Sequence, residues 1–127
     1  MNNQVPPGAR IFLVEDELAV AMLIEDMLLE LGCEIVGIAA KVSKALDAIR
    51  SDSKIDAAIL DVNLDGEKSY PIADELTERG IPYLFSTGYG LAGIDPRYRD
   101  RATVLHKPFS QEDLERAVTL LFKSTSI

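Results

Sequence analysis

Five short apolar runs, separated by stretches with helical spacing, constrain this chain more than any other feature. They are "RIFLV" (Arg10 to Val14), "EIVGIA", "AAILD", "PYLFS" (Pro82 to Ser86) and "TVLH" (Thr103 to His106). A short continuous apolar run is the pattern of a strand buried on both faces. Strands that alternate with helices imply a parallel sheet, because parallel neighbours need a crossover connection. Right-handed crossovers with five strands favour an α/β, doubly wound sheet with helices on both faces. The order 2-1-3-4-5, the flavodoxin-like arrangement, is a common solution.

The intervening segments fit. After the first run, Val20, Leu23, Ile24, Met27, Leu28 and Leu31 recur at spacings of three and four, an apolar helical stripe that stops at Gly32. A second helix is expected from Val42 to about Ser51, with Val42, Ala45, Leu46 and Ile49 inward. A third runs from about Pro71 to a stop at Gly80, since proline suits a first helical turn. A last helix follows "KPF", with Ser110 as N-cap, Glu112 and Asp113 in its first turn and Lys123 near its end. Its buried stripe is Leu114, Ala117, Val118 and Leu121. Between the fourth and fifth strands, "TGYGLAGIDPRYRDRA" lacks helical periodicity, so the fourth helix is expected to be short or irregular, at most Pro96 to Arg101.

The length of 127 residues suits one domain. We expect a disordered lead over 1–9, the domain over 10–123 and a tail over 124–127. A formal net charge of -8 argues against a nucleic-acid-binding surface. Cys33 is the only cysteine, so no intrachain disulfide forms and a reducing compartment fits. No run approaches the roughly 18 apolar residues of a membrane span. "MNNQVPPGAR" lacks a signal-peptide core, so a cytoplasmic protein is expected.

In a doubly wound sheet the site lies at the carboxyl ends of the strands, near the switch point. There the first strand ends in Glu15 and Asp16, the third in Asp61, the fourth in Ser86 and Thr87, and the fifth in Lys107. Under the order 2-1-3, Asp16 and Asp61 face each other across one crevice. Two unit charges about 4 Å apart repel by roughly 4 kcal/mol at an effective dielectric of about 20. Lys107 offsets one charge. A divalent cation offsets more, and carboxylates with the backbone carbonyl of Asn63 and waters suit Mg²⁺. One carboxylate is then free to attack phosphorus, with Thr87 and Lys107 on the phosphoryl oxygens. Each residue alone has a structural alternative. Asp61 reads as a strand-end turn residue, Glu15 and Asp16 as helix caps, Thr87 as loop and Lys107 as a solvated lysine. Together, in this chain order, they read as one site.

On these residues the chain resembles a receiver domain of the two-component response-regulator family, from about Arg10 to Lys123. The resemblance rests on the acid pair in "VEDE", the acceptor in "AAILDVNL", the threonine in "FSTG" and the lysine in "HKPF". It implies that Asp61 accepts a phosphoryl group from a phosphohistidine on a sensor histidine kinase or histidine phosphotransfer protein. It also implies that Glu15, Asp16, Asp61 and the Asn63 carbonyl surround Mg²⁺, with Asp16 and Asp61 direct and Glu15 through water. Thr87 and Lys107 would hold the phosphoryl group, and the Lys107–Pro108 bond is often cis in such domains. Val104 stands where receivers often carry Tyr or Phe, and Leu64-Asp65 replaces the common Met-Pro. "FSTGYG" resembles a subgroup with a Phe-Ala-Thr-Gly-Tyr signature; Tyr89 reads first as a loop aromatic, with a part in the switch as the alternative. His106, the only histidine, reads as structural.

Only "KSTSI" follows Phe122, so the expectation is a single-domain regulator, monomer or weak dimer. It would switch binding to a downstream protein or drain phosphoryl groups from a relay, with no enzymatic activity beyond its own phosphorylation and slow dephosphorylation. The alternative keeps the receiver but makes it a fragment of a hybrid histidine kinase or larger regulator. An Asp-nucleophile phosphatase would want a second acid two residues after the nucleophile, where Asn63 stands. A binder of FMN or nucleotide would want a phosphate-cradling loop after the first strand, where "EDELA" would repel phosphate.

Overall fold

A computed structural model describes residues 5–51, 54–100 and 102–124. Its elements in chain order begin with β1 (Arg10–Val14), α1 (Leu18–Glu30), β2 (Glu34–Ala39), α2 (Val42–Ser51) and β3 (Ala57–Asp61). A short hairpin follows, β4 (Asn63–Leu64) and β5 (Glu67–Lys68), then α3 (Tyr70–Glu78) and β6 (Tyr83–Thr87). A 3-10 turn (Gly90–Gly93), α4 (Pro96–Arg99), β7 (Thr103–His106) and α5 (Gln111–Ser124) complete the chain. The central sheet is parallel with order β2-β1-β3-β6-β7, the expected 2-1-3-4-5 once the hairpin is set aside.

Alternating side chains supply two cores, one per face. Ile11, Leu13, Ala57, Ile59 and Leu84 meet α1 and α5 through Ala21, Ile24, Leu28, Leu114, Ala117, Val118 and Leu121. Phe12, Val14, Ala58, Leu60 and Phe85 meet α2 and α3 through Val42, Ala45, Ile49, Ile72, Ala73 and Leu76. Strands buried on both faces need the unbroken apolar runs seen in the sequence.

The stripe expected on α1 is shifted. Ala21, Ile24 and Leu28 are its buried residues, and Leu23 is 56% exposed. At about 100° per residue, Leu23 stands well over a quarter turn from the centre of that seam, although it neighbours Ile24 in sequence. The lead also differs from expectation within the described residues. Val5 and Ala9 are buried, and the Gly8 N–H donates to the Gly32 carbonyl at 2.8 Å, closing the chain against the end of α1. Residues 1–4 and 125–127 lie outside the described residues, and Ser124 ends α5. The fourth helix is short, as its sequence implies, and stops at Arg99; Arg101 lies outside the described residues.

At the start of α5, Ser110 Oγ accepts from the Asp113 N–H at 3.1 Å, and the Asp113 carboxylate accepts from the Ser110 N–H at 3.0 Å. This reciprocal capping box satisfies a donor that the helix leaves unpaired. Ser110→Ala is expected to lower stability by about 1 kcal/mol. Phe85→Ala, at a fully buried ring, is expected to cost about 3–5 kcal/mol. Urea unfolding of both variants checks the two magnitudes.

Candidate functional site

Register brings the strand ends level. Val14 pairs with both Ala39 and Leu60, Asp61 with Ser86, and Thr87 with His106. The Lys107 N–H donates to the Thr87 carbonyl at 2.8 Å, so the residues that leave β6 and β7 depart side by side. The Lys107–Pro108 bond is cis. Five residues distant in sequence therefore arrive at one end of the sheet: Glu15, Asp16, Asp61, Thr87 and Lys107.

Carboxylate oxygens of Glu15, Asp16 and Asp61 lie within 4.8 Å of one another. Glu15 is buried, and both its oxygens are engaged. Oε1 accepts from Lys107 Nζ at 3.1 Å, and Oε2 accepts from the Glu17 N–H at 3.1 Å. The N-cap position of α1 is Glu17, which makes no side-chain capping bond, so Glu15 does not cap the helix. Lys107 Nζ also lies 3.6 Å from Asp61 Oδ2. Among the described residues, no hydrogen bond or ion pair engages Asp16.

Burial is the main cause that drives the Asp61 carboxyl up to about 7, with the Glu15 charge second. Lys107 opposes the rise, and a hydrogen bond with Glu15 and the Asp16 charge add to it. Burial works against the Lys107 charge, yet the hydrogen bond that Lys107 donates to Glu15 and the charges of Asp61 and Glu15 outweigh it and hold the ammonium above the ordinary lysine value. One lysine does not compensate three acids. An oxygen-only set with that residual negative charge suits a hard divalent cation.

Above the acids lies a cleft of about 330 Å³, lined among others by Asp16, Asp61, Asn63, Lys68, Thr87 and Gly93. Thr87 is buried, and its Oγ1 accepts from the Tyr89 N–H at 3.1 Å. A Cβ on Gly93 would fall 2.8 Å from that oxygen, so only glycine lets the 3-10 turn rest on the threonine. Tyr89 itself is 80% exposed. His106 stays outside the acid cluster, donating from Nε2 to the Gly88 carbonyl at 2.9 Å.

The sequence reading missed the β4–β5 hairpin and what it carries. "NLDGEK" holds the signal: Asp-Gly between two short extended pairs favours a two-residue turn with both residues at positive φ. Asp65 and Gly66 have φ of 52° and 90°. Leu64 is buried and anchors the hairpin, while Asn63 pairs with Lys68. Because the Ser69 N–H donates to the Val62 carbonyl at 2.9 Å, the alternation of an antiparallel ladder makes Asn63 and Lys68 a pair without mutual backbone bonds. The Asn63 carbonyl is thereby left outside the ladder, consistent with its expected place beside the acids.

Comparison with known proteins agrees with this fold. A family model described as the response regulator receiver domain matches residues 11–119. The solution structure of SdrG from Sphingomonas melonis Fr1 is 44% identical, covers 88% of this chain and 96% of its own, and superposes with a TM-score of 0.78. The response regulator PhyR from Brucella abortus is 27% identical, with a TM-score of 0.80 over 95% of this chain and 50% of its own. The transcriptional regulatory protein PdtaR of Mycobacterium tuberculosis (strain CDC 1551 / Oshkosh) is 32% identical over 114 residues, 87% of this chain. The chain spans 55% of that relative's length.

A carboxyl that holds its proton to about 7 in the folded state, but titrates in the ordinary range when unfolded, makes stability pH-dependent. The folded state binds the extra proton, so this contribution is complete below the ordinary range and is lost as pH rises through about 7. In buffer containing EDTA, the melting temperature is expected to fall between pH 5.5 and pH 8. Asp61→Asn should flatten that decline, and thermal scans of the two proteins measure it.

Proposed function

The chain belongs to the response regulator receiver domain family, and on that footing we propose that it is the phosphoacceptor of a two-component relay, with Asp61 as the acceptor. The observation that carries this reading is Asp61 set between two other acids and the Lys107 ammonium, at the mouth of an open cleft.

In the proposed reaction an Asp61 carboxylate oxygen forms a bond to phosphorus. The bond from phosphorus to the donor's imidazole nitrogen breaks, and its electron pair leaves with the imidazole. The product is an acyl phosphate on Asp61, and no net oxidation occurs. The Lys107 ammonium, already 3.6 Å from Asp61, offsets charge on the transferred group. Thr87 Oγ1 accepts from Tyr89 in the resting state, so its own proton is free to be donated to a phosphoryl oxygen.

Asp16, Asp61 and the Asn63 carbonyl would hold Mg²⁺, with Glu15 acting through water because both its oxygens already have partners. When bound, Mg²⁺ neutralises charge on the transferring phosphoryl oxygens. The donor would be a sensor histidine kinase or histidine phosphotransfer protein. An added charge of about −2 at Asp61 would bias a two-state surface toward a downstream protein, or the chain would act as a phosphate sink. A structure of PhyR from Bartonella quintana, 26% identical, is described as an anti-anti-sigma factor, which is one form such an output takes in a relative.

Incubation with acetyl phosphate and Mg²⁺ is expected to raise the intact mass by one phosphoryl group, and Asp61→Asn to abolish the gain. Lys107→Ala should leave an adduct but uncouple it from partner binding, measured by pull-down with and without a phosphoryl mimic. An Asp61→Asn protein that still gains the group would remove Asp61 from its role.

A further inference from the structure

Two lysines bring positive charge to the acid cleft, and they are differently committed. Lys107 is held below, on Glu15 and Asp61. Lys68 lines the cleft itself, beside Asp16, Glu17, Asp61 and Thr87. It is exposed and forms no ion pair among the described residues.

Its position is fixed by the backbone. The Asp65-Gly66 turn reverses the chain, buried Leu64 pins one face of the hairpin in the core, and Lys68 stands directly opposite Asn63 on the other face. Opposed residues in an antiparallel pair point their side chains the same way, and a pair without mutual backbone bonds brings them closest. The two faces of this hairpin accordingly line different clefts. Asn63 and Lys68 line the one above Asp61, while Leu64 and Glu67 line its neighbour. An ammonium so placed, on a flexible stem, is a point charge available to an entering anion.

A phosphoryl donor approaching Asp61 brings two negative charges toward a cleft that already holds three carboxylates. Resting on the phosphoacceptor reading above, we propose that Lys68 is a phosphate-binding residue that captures the donor's phosphoryl oxygens as Asp61 attacks. Lys68 takes no part in bond making; it raises the local concentration of dianionic donor and holds it over the acceptor. A donor-capturing cation acts on encounter, so its effect weakens as salt shortens the range of the field, to about 3 Å at 1 M ionic strength.

The test is the phosphorylation rate by intact mass, at saturating Mg²⁺, across a series of acetyl phosphate concentrations. Lys68→Ala is expected to lower the slope of rate against donor by about fivefold, and Lys68→Glu by more than tenfold. Lys68→Arg should restore most of it. At 1 M salt the difference between wild type and Lys68→Ala should shrink below about twofold. Circular dichroism and melting temperature should match across the four proteins. Variants with the wild-type slope, or a loss equally large at low and high salt, would overturn the role of Lys68 while leaving Asp61 as acceptor. A wild-type protein that gains no phosphoryl group would overturn the phosphoacceptor reading, and this role with it.

Discussion

Three carboxylates gathered against one ammonium govern the rest of this structure. Glu15 and Asp16 directly follow β1 and Asp61 ends β3, and the pairing of those two strands brings the three carboxylates together. Their mutual repulsion is several kcal/mol by order of magnitude, comparable with the whole stability of a small domain. Lys107 relieves part of it through contacts to Glu15 and Asp61. Burial first, and the neighbouring acids after it, raise the Asp61 carboxyl to about 7. A site strained in this way favours a cation and then an electrophile. The two apolar cores that flank the sheet supply the rigidity that keeps the acids together.

Most of the scaffold was legible because its signals are local. Each strand of the central sheet is built on a short apolar stretch, and "TVLH" begins and ends where β7 does. The candidate site residues were legible because they sit where those runs stop. What escaped has identifiable physical causes. Leu23 has the right spacing for a buried stripe but the wrong angle, since α1 is apolar on much of its circumference and only packing selects the seam. The segment 5–9 looks unstructured because its order comes from a hydrogen bond to Gly32 and the burial of Val5 and Ala9, neither visible as periodicity. The β4–β5 hairpin was legible in "NLDGEK" but too short to resemble a strand pair, and with it Lys68 was overlooked.

The region between β6 and β7 shows why poor periodicity need not mean poor order. Tyr98 of α4 stacks on Tyr70 with ring centroids 4.6 Å apart and meets Phe85 edge-on at 6.1 Å. Its hydroxyl donates to Asp74 at 2.8 Å, and the Asp95 N–H donates to the Tyr70 hydroxyl at 2.8 Å. A four-residue helix that could not persist alone is thus held by aromatic packing and two hydrogen bonds to α3. Val104, in place of a larger aromatic, packs at the edge of that cluster. The short helix and the 3-10 turn that rests on Thr87 are one connected piece of chain, ending next to the cleft.

The coupling of these acids is tested most directly by carbon-13 NMR titration of the Asp61 carboxyl, with and without Mg²⁺. Without divalent cation it should titrate near about 7, and Glu15→Gln should lower that value. Mg²⁺ should drive it down toward or below the ordinary carboxylate range. An Asp61 that titrates in that range from the start, indifferent to both Glu15 and the cation, would contradict the account.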